Sequence, residues 1–339
     1  MVSPYLLARK PDVELPPVLI PELDEAPVLT LQSLDGSRKI VLDGLSGWTH
    51  MPGSTGLEMP PYELITSSIP GVYGSVLEDV RVEERPIFIP IDAASADFRM
   101  VSHQAMLDQI RALVDPLRGE FYVICGNKQL KVAYTSGLEG SFGVSDFGLY
   151  WRKFGLKALA TQPFAEDRLV RPLEFQTVAG GSPFLGLAGG TDVPWGTRAI
   201  TSGSVISDNM PVNIDSEVPV YPTLELVGPM NSFSADVELD NPLSSLSTQK
   251  WSVSVPQGVP DGYTLRMVTD PRARSIRMGV GDPAVDASWS GDLAAGRVAR
   301  GSSLSPFYPG VNRMNVSAPG GTDKTRVRII WRNLNRSLW

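Results

Sequence analysis

The sequence predicts a mainly β, two-domain protein with a single helix. Three observations lead there. Glycine and proline supply 32 and 29 of the 339 residues, above average usage of roughly 7% and 5%. Only one window, Ser102 to Val114, carries apolar residues at helical spacing. Elsewhere short apolar runs sit between Gly, Pro, Asn and Asp turns, the pattern of sandwich strands. The length allows two domains at roughly 150 residues each, and 42% hydrophobic content suffices for their cores.

Residues 1–27 contain Pro4, Pro11, Pro16, Pro17, Pro21 and Pro27 among acidic residues. Proline fixes φ and removes the backbone donor, so this stretch reads as an extended arm. VLTLQSL and RKIVLD flank Asp35-Gly36, a hairpin signal. Residues 44–75 are dense in Gly, Pro, Ser and Thr, a loop of a length uncommon in compact domains and usually functional or disordered. SVLEDVRVEE and RPIFIPID follow as two strands, read as a hairpin from Glu78 to Ile91. Ile87, Ile89 and Ile91 share one face of the second. In the helix, Met106, Leu107, Ile110, Leu113 and Val114 form one stripe, with His103, Asp108 and Arg111 facing elsewhere. Ser102 is the expected N-cap, and Pro116 with Gly119 the stop.

FYVIC and KQLKVAY flank Gly126-Asn127 as a third hairpin, and LYWRKFGLKALA is a further strand. The composition changes at TQPFAEDRLVRP, residues 161–172, the predicted boundary. Beyond it YPTLELVG, KWSVSVP, GYTLRMVT, RSIRMGV and TRVRIIWR are spaced as in a β-sandwich. The last run puts Val327, Ile329 and Trp331 on one face, with Arg326, Arg328 and Ile330 on the other.

Few residues could do chemistry. Net charge is -7, against a nucleic-acid grip, which needs basic patches. Cys125 is alone, so no internal disulfide forms, and its strand context predicts a buried thiol. There is no secretory signal pattern, and no apolar run approaches the roughly 20 residues of a membrane helix; a soluble chain is expected. His50 and His103 lack neighbours at metal-ligand spacing. No GxSxG elbow or GxxxxGK[ST] loop occurs. Gly279-Val-Gly281 leads into no helix that could hold a phosphate. Asp236, Glu238 and Asp240 alternate along a strand; a solvated face explains them better than a glycosidase pair. Trp195, Trp251 and Trp289 could stack on sugars, but core positions explain them better. No enzyme, cofactor or metal is expected.

One resemblance adds a role. TGLEMPPYELITSSIPGVYGSVLEDVRVEERPIFIPI, then MLDQIRALVDPLRG, then TSGLEGSFG with LYWRKFGLKALATQPF, resemble the siphovirus distal tail proteins, most of all the minor tail proteins of phages that infect actinobacteria. FYPGVNRMNV with TRVRIIWR resembles the same family's closing hairpin. The resemblance implies an N-terminal β-sandwich with one helix, a hairpin and a belt-like extension that embraces the neighbouring subunit, and a C-terminal galectin-like β-sandwich. It divides the chain into an arm (1–27), a ring-forming domain (28–165, belt about 44–75) and the galectin-like domain (166–339). The implied role is structural. A homohexameric ring at the virion's tail tip joins the tail tube above to the hub below, lets double-stranded DNA through without binding it, and offers its outer domain to receptor-binding proteins. No membrane is involved. Candidate interface patches are the Glu78–Ile91 hairpin and the preceding loop, with Arg85, Ile87, Phe88 and Ile89 as the candidate residues; the arm is expected to lie along an adjacent subunit. The alternative is a carbohydrate-binding module using the second sandwich, with Trp251 and Trp289 as stacking candidates.

Overall fold

The computed structural model describes residues 28–71, 73–138, 151–178, 198–201, 206–239 and 249–339. The N-terminal arm, Trp195 and Asp240 lie outside them. In chain order the first half comprises β1 (Leu29–Ser33), β2 (Lys39–Val41), β3 (Trp48–His50), β4 (Tyr62–Ser67), β5 (Val76–Val82), β6 (Arg85–Ala94), α1 (Met100–Leu113), β7 (Phe121–Cys125), β8 (Lys128–Ser136), β9 (Trp151–Ala160) and β10 (Ala165–Asp167). The second half comprises β11 (Arg171–Val178), β12 (Arg198–Thr201), β13 (Ile206–Ile214), β14 (Thr223–Val227), β15 (Phe233–Leu239), β16 (Gln249–Val255), β17 (Tyr263–Val268), β18 (Ser275–Val280), β19 (Asp292–Leu293), β20 (Gly310–Ser317), β21 (Arg326–Trp331) and β22 (Leu334–Asn335). The protein is mainly β, and its sheets are almost wholly antiparallel.

The first core is built on a sheet of order β2-β1-β7-β8-β9-β6-β3. Alternate residues point to one side of a strand, so Ile87, Ile89, Ile91 and Ala93 of β6 meet Leu29 and Leu31 of β1 and Leu130 and Val132 of β8 in one buried cluster. Helix α1 adds Ile110 and Leu113 to it. Its start differs from the expected one. Met100 opens the helix, and Asp97 rather than Ser102 organises the turn before it, accepting from Arg99 N at 3.1 Å and from the Ser102 hydroxyl. His103 is buried, not on the polar side. The stripe therefore extends one turn further towards the N-terminus than the apolar residues alone suggested. Two of the three predicted hairpins form, β1–β2 around Gly36 and β7–β8 around Gly126, each glycine at positive φ.

The second core lies between two sheets, β12-β11-β21-β14-β17-β18-β19 and β13-β20-β15-β16. Leu224, Leu226, Val327 and Ile329 from the first face Val237, Trp251, Val253 and Met314 from the second. The outer face of the larger sheet holds a charged row. Glu174, Arg328, Glu225 and Arg266 are successive cross-strand partners on β11, β21, β14 and β17. Arg328, on the face opposite Val327 and Ile329, is buried: Glu174 bonds its Nε at 3.3 Å, and the Asp282 carboxylate grips its two terminal nitrogens. That bond pulls the Asp282 carboxyl below its ordinary value. Burial pushes the Glu225 carboxyl up, against the pull of Arg266 and Arg328.

The chain passes between the cores twice. After β21 it returns, β22 pairs with β10, Leu334 packs in the second cluster and Leu338 in the first. No helix among the described residues is long and apolar enough to cross a membrane.

Candidate assembly surface

The stretch 44–75 divides into two parts with opposite surroundings. The first part lies on the protomer's own core. Trp48 and Leu57 are buried in it, and Thr55 exchanges backbone hydrogen bonds with Phe88 at 3.0 and 3.1 Å. Gly56 at φ +77 allows this approach, since a Cβ there would sit 2.0 Å from Pro86 O. The second part leaves the body. Among the described residues strands β4 and β5 pair only with each other, and their burial pattern is exposed almost throughout. The expected Glu78–Ile91 hairpin does not form: β5 pairs with β4, whereas β6 pairs with β9 and β3. The predicted loop and the predicted first strand thus combine into a ribbon, residues 62–82.

Cross-strand partners share a face. Tyr62/Val82, Leu64/Val80 and Thr66/Leu77 line one side of the ribbon, and Glu63/Arg81, Ile65/Asp79 and Ser67/Val76 the other, with a register shift between Ile65 and Thr66. The first side is thus apolar but for Thr66 and has no cover among the described residues. Leu64 is 61% and Leu77 55% exposed. Two-stranded ribbons are marginally stable alone in water, and apolar surface gains roughly 25 cal/mol per Å² when covered. Such a ribbon lacks the surface that would complete it.

Its base is firmly held. Glu83 N bonds Pro61 O at 3.0 Å. The Arg85 guanidinium bonds Gly56 O, Pro163 O at 3.0 Å and Arg336 O at 2.8 Å. One buried cation therefore joins the ribbon's root, the connection between the cores and the C-terminal segment. Desolvation lowers its pKa to about 10, which leaves it charged at neutral pH. Leu338 N adds a bond to Leu57 O at 2.9 Å.

The sequence-derived candidates fall mostly elsewhere. Arg85, Ile87 and Ile89 are buried inside one protomer, so their side chains are not free to meet a neighbour; Phe88 is half-buried. The reason is alternation itself, which turned these residues towards β1, β8 and the helix. Trp251 is buried, 6.0 Å from the Phe307 ring, and offers no stacking face. Trp289 is half-buried, its indole N–H enclosed without a partner. Glu238 pairs with Lys250 across the β15–β16 hairpin. His50 shares a short hydrogen bond with Ser54; burial lowers the pKa of both histidines and raises that of Cys125. Among the described residues no group of three or more His, Cys, Asp or Glu could hold a metal. The ribbon was legible in part, since its two strands alternate; their pairing was not.

No family model matches the chain, and no curated protein matches it in sequence. Solved structures do. The SPP1 Dit protein, whose crystal structure is presented as a paradigm of the hub adsorption apparatus in phages infecting Gram-positive bacteria, has a TM-score of 0.55 at 12% identity, over 91% of this chain and 99% of that chain. The fold is shared with a phage hub protein. A chain of the phage p2 baseplate, in its activated conformation with calcium, matches with a TM-score of 0.51 and 9% identity, over 90% of this chain and 98% of its own. The strontium form gives the same figures. At such identities the likeness is one of fold.

Proposed function

We propose that this chain is a structural, non-enzymatic component of a phage tail tip, and that its copies join through the β4–β5 ribbon into a closed ring, six-membered as in the distal tail proteins it resembles. The ring would sit in the virion between tail tube and hub, with the DNA path through its centre. The observation that carries this reading is the ribbon: ordered, rooted on a buried arginine, and bare on an apolar face. A stable interface buries about 1,600 Å² or more, and a projecting ribbon with neighbouring body surface is a means to reach that area. The shared fold with a phage hub protein supports the assignment, and the -7 charge suits a channel that DNA crosses without being gripped.

The native mass of the purified protein tests it. A six-subunit species that collapses to monomer in the Leu64→Glu, Val80→Glu variant is the expected result. Assembly unchanged in that variant would remove the ribbon from the account, and turnover of a cell-wall polymer would remove the structural reading. The second sandwich as a carbohydrate-binding module gains no aromatic platform from Trp251.

A further inference from the structure

Where the two halves of the chain meet there is a cleft of about 310 Å³, lined by Tyr221, Thr223, Arg266, Arg272, Trp331 and Arg332 among others. Glu166 of β10 also lines it, and β10 pairs with β8 of the first half. Trp331 closes one end of the second core, its ring edge-on to Phe307 at 6.2 Å. Its indole N–H is enclosed and has no hydrogen-bond partner among the described residues. A buried donor left without an acceptor is costly, so this place wants a carbonyl or a carboxylate.

The cleft also departs from the charge of the whole chain, which is -7. Three arginines line it against the two acids Glu166 and Asp270. Asp270 is already held by Arg272, through Nε at 3.1 Å and a terminal nitrogen at 2.9 Å. Arg332 donates to Asp167 O at 3.0 Å and Arg168 O at 2.8 Å, carbonyls that satisfy its hydrogens without cancelling its charge. Arg266 Nε lies 3.4 Å from Glu225, whose other oxygen is 3.8 Å from Arg328. An acidic segment with rigid apolar groups would suit such a lining, since carboxylates bind guanidinium groups well.

The stretch PELDEAP, residues 21–27, has that chemistry. Glu22, Asp24 and Glu25 stand between Pro21 and Pro27. Proline-rich segments dock on aromatic-lined grooves in an extended form whose carbonyls are free to accept. Its root is beside the cleft. Leu29 pairs with Cys125, so Val28 stands next to the Gly126-Asn127 turn. Asn127 O accepts from Arg168 N at 2.8 Å, and Arg168 O from Arg332. Seven extended residues reach roughly 20 Å from there. The other long stretches outside the described residues match less well. Residues 179–197 and 240–248 hold one acid each, Asp192 and Asp240, and residues 139–150 hold Glu139 and Asp146, well apart.

We propose that residues 21–27 lie in this cleft on their own chain. Glu22, Asp24 and Glu25 face Arg266, Arg272 and Arg332, and a backbone carbonyl accepts from the Trp331 indole. The arm then straps the first half of the chain to the second. This contact is independent of the ribbon. Residues 1–20, about 60 Å when extended, stay long enough to reach an adjacent subunit.

A disulfide tests it. The full-length chain carrying Leu23→Cys and Thr223→Cys, oxidised in dilute solution, should form a bond within one copy, located by peptide mass mapping; Cys125 is buried. Glu22→Lys, Asp24→Lys, Glu25→Lys reverses the arm's charge without touching either core, and should slow the bond several-fold. Adding Arg272→Glu and Arg332→Glu should restore part of the rate, with circular dichroism to confirm folding. Should that last variant unfold, the arm variant alone decides. A bond that forms as fast with the reversed arm reflects the tether only and overturns the docking. A bond found only between copies, in a mixture of the two single-cysteine chains, overturns the strap within one chain. No bond from Leu23→Cys, nor from Ala26→Cys in its place, overturns it as well.

Discussion

β5 and β6 are separated by only Glu83 and Glu84, and both carry alternating apolar residues, yet their surroundings are opposite. β6 lies between β9 and β3, with α1 packed against it, so Ile87, Ile89, Ile91 and Ala93 lose all contact with water. β5 has β4 beside it and, among the described residues, nothing behind, and Leu77 and Val80 stay exposed. Alternation makes a strand and sorts its residues onto two faces. It does not supply the cover. For β6 the rest of the chain is the cover; for β5 no cover stands among the described residues.

The comparison can be broken or sharpened in order of effect. Arg85→Met strikes the junction of the two strands' environments. Three carbonyls from remote segments lose their donor, and the expected cost is about 3–5 kcal/mol in chemical denaturation. A loss under 1 kcal/mol would mean that the ribbon's root does not depend on this clamp. Ile89→Ala on β6 should cost about 3 kcal/mol, because a filled core is left with a cavity. Leu64→Ala on the ribbon should change the melting of the isolated protomer by about 0.5 kcal/mol or less while weakening assembly. Equal losses from both would mean that the ribbon is covered in the protomer after all.

Between these lies a charged counterpart on β21, where neighbouring strands and Asp282 cover Arg328 instead of water. The folded-state pKa of Asp282 is held below its ordinary 3.8 by the Arg328 bond. The stability it contributes is fully present above that value and is lost as pH falls through the lower, folded one. Glu225 acts the other way: burial raises its carboxyl above 4.5, so its charged form opposes folding at neutral pH, and protonation relieves that. Asp282→Asn should lower stability at pH 7 by about 1–2 kcal/mol and flatten the acid limb of the unfolding curve below pH about 4. An unchanged acid limb would show that the row titrates as one unit rather than through Asp282.

Much of the fold was legible because its signals are local. The α1 stripe, the Gly36 and Gly126 hairpins, and the strands of the second sandwich each depend on residues a few positions apart. The failures share a cause. His103 reads as a polar-side residue beside its helical neighbours, and nothing near Arg328 in sequence shows its burial, which comes from carboxylates and strands far along the chain. β10 pairs with β22 although more than 160 residues separate them, and two- or three-residue strands carry no periodicity to detect. The four named interface residues fall on β6, one strand from the exposed ribbon, while the candidate loop and the strand from Glu78 form the ribbon itself, because β5 pairs with β4 and not with β6.

The amino-acid sequence by itself determined that this is a β protein with one helix and hardly any residues fit for chemistry, and it set which residues of each strand go together. Only the tertiary structure decided which of those faces is closed and which is left bare. Side-chain periodicity is a property of neighbouring residues, whereas exclusion of water from an apolar face depends on whatever surface happens to stand about 10 Å above it.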